Sequence, residues 1–519
     1  MQQQMTKIVI VGGGSAGWIT AGLLAAKHNC KGSSSIQVSV VEAPDIATVG
    51  VGEGTWPSMR STLKDMGISE TEFIKQCDVS FKQGSKFVNW KTGVNDAYYH
   101  PFTSPVGLPE FNIAPYWLPV REQVSFANAV CSQGILSDKN LAPKQISTPE
   151  YAFNLNYGYH LDAGKFGEFL KLHCINQLGV EYVQGKVTDI HNDKHGYVYS
   201  LKLDHQQDIQ GDLFVDCTGF SSLLLGQHYG VPFESKKHIL MNDSAMAVQV
   251  PYENESSPIA SCTISTAQKS GWTWDIGLPT RRGTGYVYSS AYCEDSVAEQ
   301  TLLEYLSKTG VPKNITSELT PRKISFTPGH RKEFWHKNVV AIGISAGFIE
   351  PLEASALVLI ELSARMLAEQ LPQNREHMAL LAKRFNNTFS YRWQRIVDFL
   401  KLHYVLSHRD DSDYWRDIRN PDSIPDSLQE LLDIWQFQSP SKHDNQHVEE
   451  LFPYASFQYV LYGMGFQPTV TVDALKPLDI PQSRRLFDEN QQHLSRLHKA
   501  LPSNRELLNK INQYGLPRI

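Results

Sequence analysis

Residues Thr6–Gly17 read TKIVIVGGGSAG, a short apolar run that ends in a glycine-rich turn. The apolar run is typical of a buried strand in a parallel sheet, and a helical pattern over Trp18–Lys27 follows it at once. In a strand–turn–helix unit of this kind, Gly12 permits the tight turn, Gly14 lets the backbone approach a pyrophosphate, and Gly17 lets the helix pack closely on the strand. The stretch therefore predicts a dinucleotide-binding fold.

A second strand and an acidic residue strengthen this prediction. The run Ile36–Val41 has the pattern of a strand and is followed by Glu42, where a carboxylate can bind the ribose hydroxyls of an adenosine. Farther along, Asp212–Phe220 has the pattern of a strand followed by a glycine turn, as expected where a dinucleotide domain resumes after an insertion. Together these features favour an adenine dinucleotide site over a chance match to the glycine pattern.

Length and charge exclude several classes of protein. The 519 residues can bury a large core, and a net charge of −6 with both signs spread along the chain offers no basic stripe for nucleic acid. No apolar run approaches the ~18 residues of a membrane span, and the first apolar run ends in glycines rather than continuing as a signal sequence. We therefore expect a cytoplasmic protein that binds neither nucleic acid nor membrane.

Metal and disulfide sites are not expected. The seven cysteines are odd in number and scattered without a Cys-x-x-Cys pair, and the His-Glu-x-x-His motif is absent. With 18 histidines, some lie near each other by chance. A lone histidine such as His160 or His228 is therefore interpreted as structural rather than as a metal ligand.

The stretch Gly347–Ala356 reads GFIEPLEASA and lies between a predicted buried strand, Val339–Ile344, and a helical pattern that begins at Leu357. Ser355 is then the candidate N-cap of that helix. A helix N-terminus presents unpaired N–H groups and a partial positive charge, so a small anion or an electron-rich ring can rest there. Two interpretations stay open: a ligand site in which Glu353 takes part, or a simple turn in which Glu353 complements the helix dipole.

Two pairs of side chains are each predicted to share one face of a strand. The stretch Phe81–Trp90 alternates as a single strand, with Lys82 and Lys86 on the same side. A solvated strand edge is the alternative interpretation of these lysines. Trp272 and Trp274 lie two residues apart in a predicted antiparallel strand, so they also share a side, either as core filling or as the wall of a functional pocket.

The chain is predicted to have two parts. Residues 1–375 form an α/β body, a Rossmann-like dinucleotide-binding domain with an inserted antiparallel sheet. Residues 376–519 form a mainly helical C-terminal module packed on that body, punctuated by several prolines. Residues 485–513 are charged with regularly spaced leucines, which predicts a closing helix or two and makes this segment the candidate contact of a homodimer.

Six motifs follow one another in a recognisable order over nearly the full length of the chain. They are the glycine fingerprint Gly12–Gly17 followed by Trp18, the glycine-rich strap Val51–Thr55, the lysine motif Phe81–Phe87, the tryptophan motif Trp272–Ile276, the stretch Gly347–Glu353, and the helical motif Phe399–Tyr404 with Asp411, Ser412 and Trp415 beyond it. In these motifs the chain resembles the flavin-dependent halogenases of the tryptophan-halogenase type. One such match would carry little weight, whereas the ordered set is highly specific.

The resemblance implies FAD as the cofactor, delivered in its reduced form by a separate flavin reductase. The matching cofactor residues are Gly12, Gly14, Ser15, Ala16, Gly17 and Glu42, with Glu53, Gly54, Val187, Ile344 and Leu357 nearer the flavin. In this family reduced FAD and O2 give a C4a-hydroperoxide, which oxidises chloride or bromide to hypohalous acid without a metal. The single glycine fingerprint, with no second one for a nicotinamide, agrees with a separate reductase.

For the reaction itself, the resemblance implies that Lys82 is the catalytic lysine and Glu353 its acidic partner. The backbone N–H groups of Ser355 and Ala356 would hold the halide, and an indole-like aromatic substrate would lie between His100 and Phe102. Trp272 and Trp274 would wall the substrate off from the flavin. A lysine in a water-poor channel can act as an acid or as a covalent halogen carrier, because desolvation lowers its pKa and frees its lone pair.

The sequence departs from the tryptophan-specific branch of the family in three places. Ala354–Ala356 replaces Ser-Thr-Gly, Gly277 replaces a proline, and the aromatic lid that grips the free amino acid has no clear counterpart around Phe457–Pro468. These departures weigh against free tryptophan as the substrate.

Two other functions stay open at this point. A flavin monooxygenase would use the same hydroperoxide to hydroxylate an aromatic substrate, since Ala356 in place of glycine could spoil the anion site. A flavin-binding partner protein without turnover is disfavoured because Lys82 and Glu353 are both present.

Overall fold

The computed structural model describes residues 6–32, 34–45, 52–204, 208–469 and 475–518, so Val51 at the start of the strap lies outside the described residues. The chain divides into two compact units, each assembled from three segments. The first unit comprises Met1–Asp78, Leu161–Lys236 and Thr327–Trp393, and the second comprises Val79–His160, Lys237–Phe326 and Gln394–Ile519.

A six-stranded sheet forms the centre of the first unit. Its strands, in spatial order, are Trp335–His336, Val339–Ala341, Leu213–Asp216, Lys7–Val11, Gln37–Glu42 and Glu181–Gln184. All neighbours pair in parallel except the first two. Ile8, Val9 and Ile10 are almost fully buried, as expected for a parallel strand that is covered on both faces. The predicted Rossmann-like arrangement is confirmed.

Helices and two small sheets complete the first unit. The helices are Ser15–His28, Ser58–Asp65, Glu70–Gln76, Ala163–Leu178 and Ser355–Glu369, and the long helix Arg375–Val405 begins in this unit. One small sheet contains Val187–Asn192, Val198–Leu203 and Ile209–Gln210, and the other contains Phe233–Ser235, Gly329–Arg331 and Gly347–Phe348.

A seven-stranded sheet forms the centre of the second unit. In spatial order it contains Arg322–Ser325, Ser244–Pro251, Arg281–Tyr288, Gly271–Gly277, Thr263–Gln268, Gly84–Val88 and Ala97–Pro101. Every pair is antiparallel except Thr263–Gln268 with Gly84–Val88. The helix Asp295–Lys308 contributes Leu302 and Leu306 to a hydrophobic cluster that also contains strand residues of this sheet. The predicted insertion of an antiparallel sheet is confirmed.

The C-terminal part of the second unit is helical, as predicted. It contains the later turns of Arg375–Val405 and the helices Asp413–Asp417, Asp426–Trp435, Tyr454–Gly463, Ile480–Ala500 and Asn504–Tyr514. Shorter helices occur earlier in this unit, at Ala114–Trp117, Phe126–Val130, Gln133–Asp138 and Lys313–Thr316. Across the ranges given above, no helix combines the length and the apolar character that crossing a membrane requires.

Buried polar contacts explain the helical motif around Phe399–Tyr404. The Lys401 Nζ donates hydrogen bonds to the Ile239 carbonyl oxygen at 2.9 Å, the Ile418 carbonyl oxygen at 2.6 Å and the Ser423 hydroxyl at 2.8 Å. Since an ammonium group has three N–H donors, this set of acceptors satisfies all of them. The motif lysine therefore holds together the helical part of the unit.

Asn338 ties the small sheet at Val198–Leu203 to the central sheet of the first unit. Its fully buried side chain accepts a hydrogen bond from the Val198 N–H at 3.0 Å and donates to the carbonyl oxygens of Val198 at 2.7 Å and Asp212 at 3.1 Å. Asn338→Ala should therefore lower the free energy of unfolding by roughly 2–4 kcal/mol, because it leaves buried backbone groups without partners. Urea unfolding measures the change.

The exposed Asn314 provides the matched control for this substitution. Asn314→Ala should change the free energy of unfolding by less than about 0.5 kcal/mol, as surface substitutions usually do. An equal effect of the two substitutions would contradict the bridging role of Asn338.

Candidate functional site

The glycine turn after Lys7–Val11 is packed so tightly that its backbone is fixed. The Gly12 N–H donates to the Val41 carbonyl oxygen at 2.8 Å, and Gly12 has a φ of +116°, which favours glycine. A Cβ at Gly17 would lie 1.9 Å from the Gly12 carbonyl oxygen. At Gly14, by contrast, a Cβ would have no atom of the described residues within 4 Å apart from its chain neighbours, so the described part of the turn presents open space there.

The helix Ser15–His28 begins directly at this open space. Its N-cap is Gly14, and no side chain caps its first turn. The unpaired N–H groups of a first turn are suited to a pyrophosphate. Ser15, Ala16 and Gly17, three of the predicted cofactor residues, form this first turn.

Glu42 lies against the same turn. A Cβ at Gly13 would come within 2.2 Å of the Glu42 Oε1, and the Lys171 Nζ donates to the Glu42 Oε2 at 2.7 Å. The carboxylate thus stands beside the glycine turn with one oxygen held by a lysine. Lys171 was missed by the sequence analysis because nothing in its helix, Ala163–Leu178, distinguishes it from an ordinary surface lysine.

Two further predicted cofactor residues, Ile344 and Val187, come shortly after glycines that contact this turn or Glu42. A Cβ at Gly343 would lie 2.8 Å from the Ala16 Cβ, and Ile344 is the next residue. The Gly185 N–H donates to the Glu42 carbonyl oxygen at 2.9 Å, two residues before Val187. The open space at Gly14, the uncapped helix start and the adjacent carboxylate together fit an adenine dinucleotide such as FAD.

A hydrogen bond connects the residue directly after the strap to the turn before the helix Ser355–Glu369. Glu53 and Gly54 form a short strand, and burial raises the pKa of Glu53 to about 7. Just beyond, the Trp56 Nε1 donates to the Glu353 carbonyl oxygen at 2.8 Å. Trp56, the residue directly after the strap, is therefore bonded to Glu353, two residues before the first helical residue.

The turn at Glu353 and Ala354 is strained. Glu353 has a φ of +65° and Ala354 a φ of +55°, so two consecutive residues with side chains adopt the left-handed conformation, which costs each of them roughly 1–2 kcal/mol. The helix starts one residue earlier than predicted, because Ala354 is the N-cap and Ser355 is the first helical residue. The prediction of Ser355 as N-cap was wrong.

This turn leaves the start of a long helix without a side-chain cap. Ser355 and Ala356 occupy the first turn of the 15-residue helix, with Ser355 buried and Ala356 exposed. The Glu353 side chain is buried next to the helix start, and Leu357 is buried within it. Backbone N–H groups at such an end are suited to a small anion.

Glu361 is a buried acid that the sequence analysis missed. Its carboxylate accepts hydrogen bonds from the Thr62 hydroxyl at 2.5 Å and the Ser58 hydroxyl at 3.2 Å, and burial raises its pKa to about 7. It thereby fastens the helix after the strap to the helix Ser355–Glu369. The sequence feature that could have identified Glu361 is its position as a single acid within an otherwise apolar helical run.

In the second unit, the predicted strand Phe81–Trp90 is two strands in two sheets. Ser80–Lys82 pairs with Gly158–Leu161, whereas Gly84–Val88 belongs to the seven-stranded sheet. The break occurs at Gly84, which has a φ of +139° and whose Cβ would lie 2.4 Å from the His100 carbonyl oxygen. The prediction that Lys82 and Lys86 share one strand face was therefore wrong.

The two lysines have different surroundings as a result of this break. Lys82 is only 1% exposed, and its Nζ lies 5.3 Å from the centroid of the Phe102 ring. Lys86 is partly exposed and its Nζ lies 2.6 Å from the Asp138 Oδ1. Lys82 is the enclosed lysine of the pair.

His100 and Phe102 lie beside the strand break. The Phe102 N–H donates to the Gln83 carbonyl oxygen at 3.1 Å. The buried His100 ring lies 5.6 Å from the Phe399 ring and 6.0 Å from the Tyr459 ring, between centroids. The structure therefore brings Lys82, His100 and Phe102 together at one edge of the seven-stranded sheet.

Trp272 and Trp274 lie on one face of that sheet, with ring centroids 6.5 Å apart. Trp272 is 1% exposed and lies 6.3 Å from the Trp90 ring, in an aromatic cluster that also includes Tyr404 and Trp415. Trp274 covers Gly285, where a Cβ would lie 2.1 Å from the Trp274 Cη2. Tight packing thus fixes the orientation of both rings.

Known proteins resemble this chain along its whole length. The family model for tryptophan halogenase matches residues 7–478. The chain is 31% identical to the tryptophan 6-halogenase SttH of Streptomyces toxytricini over 98% of both chains, and 30% identical to the tryptophan 7-halogenase RebH of Lentzea aerocolonigenes over 99% of this chain and 100% of RebH. A crystal structure of a tryptophan halogenase from Shewanella frigidimarina NCIMB 400 has a TM-score of 0.97 and 54% identity, and the match covers 100% of each chain.

The open space at Gly14 makes a sharp test of cofactor binding possible. Gly14→Ala should change the free energy of unfolding by less than about 0.5 kcal/mol, because the new methyl group has no contact within 4 Å among the described residues beyond its chain neighbours, and the φ of −79° suits alanine. The same methyl group should weaken FAD binding at least ~10-fold, about 1.4 kcal/mol, by occupying the space that the pyrophosphate needs. Fluorescence titration with FAD measures the affinity.

Gly17→Ala serves as the contrast, because its methyl group would collide with the Gly12 backbone and should destabilise the fold itself by roughly 1–3 kcal/mol. Unchanged FAD affinity in Gly14→Ala would show that the cofactor does not cross this turn.

Proposed function

Because the chain belongs to the tryptophan halogenase family, whose members are flavin-dependent oxidoreductases that use halide, we propose that it halogenates an indole-like aromatic substrate with hypohalous acid directed by Lys82 and Glu353. The observation that carries the proposal is the enclosed Lys82 ammonium beside the Phe102 ring. A buried lysine needs either fixed acceptors, as Lys401 has, or a function, since removing an ammonium group from water is costly.

The glycine turn, the first turn of Ser15–His28 and Glu42 would hold FAD, with Glu53, Gly54, Val187, Ile344 and Leu357 toward its flavin end. When bound in the reduced form, FAD supplies, together with O2, the oxidising power that converts chloride or bromide to hypohalous acid. A separate flavin reductase would provide the reduced cofactor. The single glycine fingerprint, with no second one for a nicotinamide, supports a separate reductase.

The first turn of Ser355–Glu369 would hold the halide. Backbone N–H groups suffice to bind a small anion at a helix N-terminus, so the N–H groups of Ser355 and Ala356 need no special side chains. The exposed Ala356 is compatible with access to this turn.

Lys82 would receive the hypohalous acid and aim it at the substrate. An ammonium group can donate a hydrogen bond to the hypohalous acid oxygen and increase the positive character of the halogen, and an amine can carry the halogen covalently. The buried Glu353 carboxylate would stabilise the cationic ring that forms when the halogen adds, and would then take the ring proton.

The substrate would be an aromatic ring held between His100 and Phe102, with Trp272 and Trp274 as a rigid wall. SttH and RebH are named for tryptophan. This chain has no clear counterpart of the aromatic lid that grips the free amino acid, which supports an indole without the amino-acid group. Rigid aromatic surroundings position a flat substrate at low entropic cost.

Lys82→Ala should abolish halogenation of the substrate while leaving oxidation of halide nearly intact. Removal of an acid or carrier typically costs at least ~10²-fold in rate, whereas formation of hypohalous acid does not need the lysine. Product formation is measured by mass spectrometry with reductase, FAD and each halide, and hypohalous acid is measured with a soluble trap.

Lys86→Ala is the matched control, because its partly exposed ion pair with Asp138 is worth little. Its product yield should stay within about twofold of the unmodified enzyme. Near-normal product from Lys82→Ala would end the proposed role of Lys82, and hydroxylated product that forms without halide would favour a monooxygenase.

Indole-like compounds without an amino-acid group should be halogenated at least as well as free tryptophan. Without a lid, the carboxylate and ammonium groups of tryptophan are desolvated on binding but form no compensating hydrogen bonds to the protein, which weakens the binding of tryptophan. A competition assay with indole and tryptophan in one vessel, read by mass spectrometry, gives the ratio of specificity constants directly. Regioselective turnover of tryptophan alone would contradict this prediction.

A further inference from the structure

His160 lies on the strand that pairs with the strand of Lys82. In this antiparallel pair Ser80 is opposite His160, and Lys82 is opposite Gly158. Directly opposed residues share a face, as do residues two apart on one strand, so His160 and Lys82 project to the same side as diagonal neighbours about 7–8 Å apart. Gly158 has no side chain, which leaves room between them.

Among the described residues, one nitrogen of His160 has a hydrogen-bond partner and the other has none. The ring is fully buried, and its Nε2 lies 2.8 Å from the Thr263 hydroxyl oxygen. Its Nδ1 is buried and has no hydrogen-bond partner in the part of the chain that the structure describes. A buried polar atom in this state costs about 1–3 kcal/mol, so anchoring to Thr263 does not by itself account for a histidine here.

The charge state of this ring is fixed by its surroundings. Burial, and secondarily the positive charge of Lys82, lower the pKa of His160 well below its usual range, so the imidazole is neutral at neutral pH. Burial also raises the pKa of the neighbouring Cys262 thiol to about 12, so this group is neutral too. When the Nε2–H donates to Thr263, the Nδ1 presents a lone pair, and an ammonium group is purely a donor.

We propose that His160 is a positioning residue for Lys82, with its neutral Nδ1 accepting a hydrogen bond from the Lys82 ammonium during turnover. The four-carbon stem of lysine spans the diagonal across Gly158, so the two groups can meet without backbone movement. This bond occupies one N–H of Lys82 and directs the others toward the hypohalous acid. The inference rests on the proposed halogenation and extends it to a residue that acts through Lys82.

Two substitutions at His160 separate this role from simple anchoring. Asparagine places an amide oxygen near the position of Nδ1 and loses Thr263, whereas glutamine reaches the position of Nε2 and keeps Thr263 but lacks the Nδ1 acceptor. His160→Gln should lower the yield of halogenated product per hypohalous acid formed about 10-fold or more, and His160→Asn should recover it to within about 3-fold of the unmodified enzyme. Hypohalous acid formation should be unchanged in both.

The reverse order, with glutamine better than asparagine, would show that His160 only anchors Thr263 and would overturn the inference. Melting temperature and FAD affinity identify a variant that does not fold. In that event Thr263→Val, which frees the tautomer of the ring, should lower the yield per hypohalous acid several-fold, and an unchanged yield would also overturn the inference.

Lys82→Ala, assayed in the same series, distinguishes the proposed function of Lys82 from the positioning role of His160. If Lys82→Ala keeps its product, the proposed function of Lys82 fails. If Lys82→Ala loses its product while His160→Gln keeps it, the role of Lys82 stands and the positioning role of His160 alone is refuted.

Discussion

The close packing of the glycine turn after Lys7–Val11 is the constraint on which the first unit depends. Gly12 is held between two neighbouring strands: its N–H bonds Val41 on one side, and a Cβ would lie 2.2 Å from the Cys217 carbonyl oxygen on the other. Glycine is needed at this position, because a side chain would separate the ends of the three neighbouring parallel strands. Glu42 and the segment around Gly343 meet at the same edge, where ligands of open α/β sheets bind.

The sequence was sufficient wherever the decisive interactions are local. Apolar runs, glycine spacing and helical periodicity predicted the Rossmann-like sheet, the inserted antiparallel sheet and the helical C-terminal region. The failures occur where distant segments decide the backbone. The strand break at Gly84 depends on the close approach of the His100 backbone. The helix start at Ser355 follows a left-handed turn at Glu353 and Ala354, and the distant Trp56 donates a hydrogen bond to the Glu353 carbonyl oxygen in that turn.

Three buried or partly buried groups to which the sequence analysis assigned no functional role share one property. Lys171, Glu361 and His160 are each defined by partners far along the chain: Glu42, Thr62 and Thr263. A lysine in a helix, an acid in an apolar run or a lone histidine has no local signal that separates a functional group from a structural one. Three-dimensional contacts supply that signal, because a buried polar atom must find a partner or serve a purpose.

The interleaving of the two units affects how the chain can fold as it is made. The central strand Lys7–Val11 pairs with Leu213–Asp216, which in turn pairs with Val339–Ala341, so the sheet is incomplete until more than half of the polypeptide has left the ribosome. At a synthesis rate of roughly 5–20 residues per second, the last strands of the sheet are synthesised on the order of tens of seconds after the N-terminal strand. During this interval the apolar side chains and the unpaired backbone edge of the strand are exposed, and chaperones bind such surfaces. The yield of active protein in a foreign host should therefore depend on the supply of chaperones.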